Sequence, residues 1–331
     1  MNIGRCRAAF MACGSILAVA GMLCAQDTPD INSQSVDGTR AKGQSEGRGA
    51  PEIIPHRKNP GLAGAPTAGS TGLIKPAIGN HGGPVMGTPN VYLIWYGNWN
   101  QTNGSDTATG QTIIRDFLHG LSGSNYYVTN ASYGTPTGMF NVVKEISDSY
   151  SQGKGVPLSD SGVQAVVTRG ISSSGGLPKD TNGVYFVLTS SDVAESSGFC
   201  SQYCGWHTYG TISGSNIKYA FVGNAYRCLS ACAAQTTGPN GNAGVDGMVS
   251  VIAHELEETN TDPNLNAWYN NRGSEDADMC AWTFGSHQQM ANGAYYNMTL
   301  PALSVSTRNF LIQRELDVNS KCYVDYVNKT Q

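Results

Sequence analysis

Apolar and polar positions along the chain follow two rhythms. Residues 90–96, Asn-Val-Tyr-Leu-Ile-Trp-Tyr, form an almost unbroken apolar run of β-formers, which predicts a strand buried on both faces. Val184–Leu188 predicts another such strand, Ile217–Val222 one more, and Met139–Ile146 is strand-like as well. Helical spacing appears between them. Ile113, Ile114, Phe117, Leu118 and Leu121 form one stripe within residues 112–121, and Ser159-Asp160 is placed to cap a helix running through Val163, Val166 and Val167. The clearest helix spans residues 246–261, where Val249, Ile252, Ala253 and Leu256 recur at i, i+3, i+4 and i+7. The order strand, helix, strand, helix, strand, strand, helix predicts a single α/β domain with a mixed, largely buried sheet and flanking helices.

The ends of the chain follow other rules. Arg5 and Arg7 precede a mainly apolar run, Ala8 to Leu23, and then Cys24-Ala25-Gln26, which reads as a secretory signal peptide over residues 1–25, cleaved after Ala25. The run is too short to span a membrane comfortably, so no membrane association is expected after cleavage. Residues 26–78 read as a linker or pro-segment: Gln26 to Lys75 has no Phe, Trp, Tyr or Cys and cannot offset its chain entropy by burial. The globular part is expected at 79–331. Charged residues make up only 13% of the chain, about half the usual share, and the net charge of −4 comes without any Lys/Arg run, which excludes a nucleic-acid partner. Cleavage would also remove three cysteines. The six remaining, Cys200, Cys204, Cys228, Cys232, Cys280 and Cys322, are expected to form disulfides in an oxidising compartment, and their pairing is open among 15 possibilities.

The candidate chemistry lies on the last helix. His254 and Glu258 stand one turn apart beside the apolar stripe, with Glu255 close by, so residues 254–258 read HExxE. The motif resembles the HExxH of zinc peptidases with a carboxylate for the second imidazole, and makes a zincin-like active-site helix possible. In that pattern His254 and Glu258 hold zinc and Glu255 is the general base. The third ligand must come from elsewhere: Glu275 or Asp278, beside Cys280, is expected to supply it. Asp262, His207 and His81 are second-tier candidates, His207 being read primarily as a loop histidine. So many acids with one imidazole also suit calcium, a hard cation that prefers oxygen ligands. A solvated acidic helix face with no ligand at all is the plain alternative.

Several segments together resemble the EXORDIUM, or phosphate-induced protein, family of secreted proteins known from plant cell walls. They are residues 81–99 (HGGPVMGTPNVYLIWYGNW), 182–193, 199–207 (FCSQYCGWH), 219–228, 244–269 and the acid-rich 275–280 (EDADMC). Glu257 departs from the alanine such proteins tend to carry, and its replacement by alanine is expected to do little. The resemblance implies an extracellular or cell-wall protein and supplies no reaction. Two functions are therefore carried forward. One is a secreted zinc hydrolase, most readily a peptidase, acting on an extracellular peptide. The other is a non-enzymatic protein that binds a wall polysaccharide or a receptor, with a structural metal or none, in which exposed Trp99, Trp206, Trp268 and Tyr269 stack on sugars.

Overall fold

A computed structural model describes residues 66–331 and, as backbone only, the strand Glu52–Pro55. The expected signal peptide and most of the expected linker lie outside the described residues. The centre is a six-stranded sheet built from β1 (Glu52–Pro55), β2 (Asn90–Tyr96), β3 (Asn141–Asp148), β4 (Gly183–Thr189), β5 (Tyr203–Ile212) and β6 (Ser215–Gly223), in the order β1-β5-β6-β4-β2-β3. Strands β3, β2, β4 and β6 run parallel, β5 returns antiparallel to β6, and β1 lies antiparallel to β5. The mixed α/β architecture agrees with the hydrophobic pattern. Val91–Tyr96 and all of β4 are buried, as central parallel strands covered on both faces must be.

Three helices cover the sheet: α1 (Ala108–Leu121), α2 (Asp160–Ser172) and α3 (Ala243–Thr261). The crossovers from β2 to β3 and from β3 to β4 step in opposite directions, so the right-handed rule puts α1 and α2 on opposite faces. Gly170 of α2 packs against Ile94 and Ile146, whereas α1 packs beside α3. Ser159 caps α2 as expected, accepting from the Gly162 amide at 3.1 Å.

The strand β5 departs from the sequence reading, which placed a loop there. Gly205 and Gly210 interrupt its β-former pattern, yet Ser213 and Gly214, both at positive φ, make the two-residue turn that folds it against β6. The packed part of the chain also reaches back before residue 79. The Ile74 amide donates to Ser320 O at 2.8 Å, and Ile78 joins a small core with Tyr133, Leu316 and the Cys280–Cys322 bridge. The other disulfides are Cys200–Cys228 and Cys204–Cys232, which tie the start of β5 to the segment after β6.

Helix α3 is the most buried of the three helices, with every residue from Gly244 to Thr261 inside. Asn242 caps it, accepting from the Val245 amide, and Asp246 in its first turn receives the backbone and side-chain N–H groups of Asn240 at 3.0 and 2.6 Å. Burial pushes the Asp246 carboxyl up to about 6, and the Asn240 bonds only partly offset it. Because the folded value lies above the unfolded one, the native state holds this proton more tightly. That stabilisation is complete below about pH 4 and disappears as pH rises through about 6, a loss of about 3 kcal/mol. Urea unfolding at pH 4 and pH 7 should show that Asp246→Asn removes this part of the pH slope.

Candidate functional site

Two elements and one loop build the site. Helix α3 supplies His254, Glu255 and Glu258; β5 supplies His207; and the segment after the helix, ending in a short 3-10 turn at Asp278–Cys280, supplies Glu275 and Asp278. His254 Nε2 lies 2.9 Å from Glu258 Oε1 and 3.6 Å from Asp278 Oδ1, and the ligand atoms of these three residues lie within 4.8 Å of one another. The Asp278 amide donates to Glu258 Oε1 at 3.1 Å, which fixes the loop to the helix. Asp278 Oδ1 is buried and makes no hydrogen bond among the described residues. On the other side of Glu258, His207 Nε2 lies 3.6 Å from Oε2 and 3.2 Å from Glu275 Oε2. Glu255, His207 and Glu258 form a second set of ligand atoms within 4.8 Å, so Glu258 belongs to both sets.

The structure thus separates the two acids offered as third ligand. Asp278 joins His254 and Glu258, whereas Glu275 contacts His207. His207 itself is not a loop residue: it sits in β5, fully buried, and faces the helix. The close approach of helix and strand requires Gly205, where a Cβ would lie 2.5 Å from Val251 Cγ1 and 3.0 Å from Glu255 Oε1. Two second-tier candidates are elsewhere. Asp262 caps the loop after α3, its Oδ1 accepting from the Asn266 and Ala267 amides. His81 is exposed and stacks on Tyr269 with ring centroids 3.6 Å apart.

The donor set fits a cation. Glu255, Glu258, Glu275 and both imidazoles are at most 1% exposed. Several carboxylates packed this closely are costly unless protonated or balanced by positive charge. A tetrahedral zinc with bonds of roughly 2.0–2.2 Å spaces its ligand atoms by about 3.4 Å, near the 3.6 Å between His254 Nε2 and Asp278 Oδ1.

A second acid group lies behind the helix. Asn130 Nδ2 donates to Glu257 Oε2, and Thr261 Oγ1 donates to Asp276 Oδ2 at 2.8 Å. Burial, then the Asp276 charge, pushes Glu257 and Glu315 well above the carboxylate range, and burial moves Asp276 up to about 7. Glu257 is therefore an internal group rather than a surface charge, contrary to the expectation that its truncation is neutral. Glu257→Ala should cost about 1–3 kcal/mol in thermal unfolding, because it leaves the Asn130 amide without its acceptor and opens a cavity. The sugar-stacking expectation also changes. Trp99 and Trp206 are core residues at 8% and 1% exposure, Trp99 donating to Leu188 O and Trp206 stacking on Phe221.

Comparison with known proteins agrees with these segments. The family defined by the phosphate-induced protein 1 conserved region matches residues 78–323, which includes β2 to β6, all three helices and every residue of the site. EXORDIUM-like 3 of Arabidopsis thaliana is 34% identical over 278 residues, covering 73% of this chain and 78% of the relative. EXORDIUM-like 5 of the same plant is 34% identical over 254 residues (66% and 67%), and PHOSPHATE-INDUCED 1 of Nicotiana tabacum 29% over 234 (60% and 68%). No solved structure matches. The chain belongs to the EXORDIUM, or phosphate-induced protein, family.

Proposed function

We propose that this EXORDIUM-family chain is an exported, metal-dependent hydrolase, most readily a zinc peptidase. The observation that carries the reading is the convergence of His254, Glu258 and Asp278 on one point, with Glu255 next to His254 on the helix and close to Glu258. His254 and Glu258 would hold the ion from the helix and Asp278 from the loop. Bound there, zinc would supply Lewis-acid polarisation of a water and of the scissile carbonyl. Glu255, whose ligand atom lies within 4.8 Å of that of Glu258, accepts the proton from the attacking water and passes it to the leaving amine. His207, held by Glu275, faces Glu258 from the opposite side and helps to position its carboxylate.

Export is supported by the signal-like N-terminus and by three disulfides, which persist in oxidising compartments. Among the described residues no helix is long and apolar enough to cross a membrane.

The near-complete burial of these side chains favours a second reading, an extracellular binding protein in which the same residues hold a structural cation. Metal analysis of purified protein together with a peptide-cleavage panel separates the two. Stoichiometric zinc with cleavage supports the hydrolase. Calcium, or tightly held zinc without any cleavage, supports the binding protein.

A further inference from the structure

We propose that the outer edge of β5 is a binding edge for an extended peptide, and that residues 52–55 of the chain occupy that edge in cis and so block it. The purpose of the edge rests on the peptidase reading, but the binding itself does not.

Without β1, β5 would end the sheet with a row of unpaired backbone groups beside the candidate metal centre. Such an edge pairs with any extended chain that reaches it. Here it is covered antiparallel by β1, with Glu52 opposite His207, Ile53 opposite Trp206 and Ile54 opposite Gly205, before the register shifts at Pro55 opposite Tyr203. The occupied stretch is thus the part of β5 that carries the site. His207 contacts Glu258 and Glu275, and the backbone at Gly205 runs against Glu255. The neighbouring strand lies about 4.8 Å away, and β1 also packs near α3. A chain seated there runs past the one carboxylate assigned to move a proton.

The covering strand has the properties of a replaceable occupant. It is four residues long, which gives few backbone bonds, and Pro55 has no N–H to donate. It comes from Gln26 to Lys75, which contains no aromatic residue or cysteine to anchor it. The occupant class follows from the recognition mode. Main-chain amides and carbonyls select a peptide, not a polysaccharide, and Ile53-Ile54 indicates a preference for β-branched residues that are already extended.

The test uses the full chain as wild type and as Ile53→Pro/Ile54→Pro, which removes the central N–H groups of β1 and leaves β2 to β6 unaltered. A fluorescent peptide with the sequence of residues 50–57 should bind the variant at least tenfold more tightly than wild type, with or without chelator. Amide hydrogen exchange over residues 203–207 should rise at least tenfold in the variant and fall again when the peptide is added. Equal peptide binding by the two proteins, or unchanged exchange at that edge, overturns the proposal. Binding by the variant without cleavage of any peptide leaves the edge standing and counts against the peptidase reading alone.

Discussion

His254→Ala and Glu258→Ala should each remove stoichiometric metal from the purified protein, whereas Glu255→Gln should keep it and lose hydrolysis. The first two delete groups that meet at 2.9 Å and share Asp278 as a neighbour. Removing even a supporting residue of a metal site typically costs 10–100-fold in affinity, so loss of a direct ligand should exceed about 100-fold. Glu258 should be the more damaging loss, since its two oxygens reach both imidazoles and its Oε1 also receives the Asp278 amide. Glu255→Gln keeps the shape of the side chain against Gly205 but cannot take a proton. Metal analysis and kinetics on the same preparations should therefore separate the roles. Normal metal in His254→Ala would take the ion away from His254 and Asp278 and point to the His207, Glu255 and Glu258 set instead.

Removing the Cys280–Cys322 bridge should have the second large effect, and on two properties at once. The bridge closes 42 residues, for which chain entropy gives about 4 kcal/mol of stabilisation. It also fastens the turn that begins at Asp278, which is otherwise held by the amide bond to Glu258, local turn bonds and the packing of Met279 against the small core around Leu316. Cys280→Ser/Cys322→Ser should therefore unfold earlier in urea and bind metal at least tenfold more weakly. Cys200→Ser/Cys228→Ser, which opens a 28-residue separation away from that turn, should show a comparable loss of stability with metal affinity kept. Equal metal affinity in the two variants would mean that Asp278 is not a ligand.

Much of the scaffold was legible because its strands announce themselves. Two buried parallel strands are apolar almost throughout, and Ser159 caps where a serine before a helical stripe should. The helix carrying the site was legible for the same reason, and HExxE named three of its residues. What was hidden depended on contacts between distant segments. Strand β5 has glycines where the helix must approach, so its local pattern was weak; only Ser213-Gly214 signalled a hairpin. With that strand unread, His207 looked like a loop residue and its meeting with Glu275, 68 positions away, had no trace in either segment. Glu257 misled for another reason. A helix with acids along one side normally shows that side to water, but α3 is enclosed all round, and Glu257 faces Asn130 in the acid group with Asp276 and Glu315 instead.

Diffraction data collected above and below the zinc absorption edge would test the central claim most directly. The account predicts one anomalous peak per chain, present only above the edge, within about 2.0–2.2 Å of His254 Nε2 and of carboxylate oxygens of Glu258 and Asp278. Glu255 should stand next to it without a bond to the ion. A folded protein from zinc-containing medium with no peak at that point, and with His254 hydrogen-bonded directly to Glu258, would contradict it.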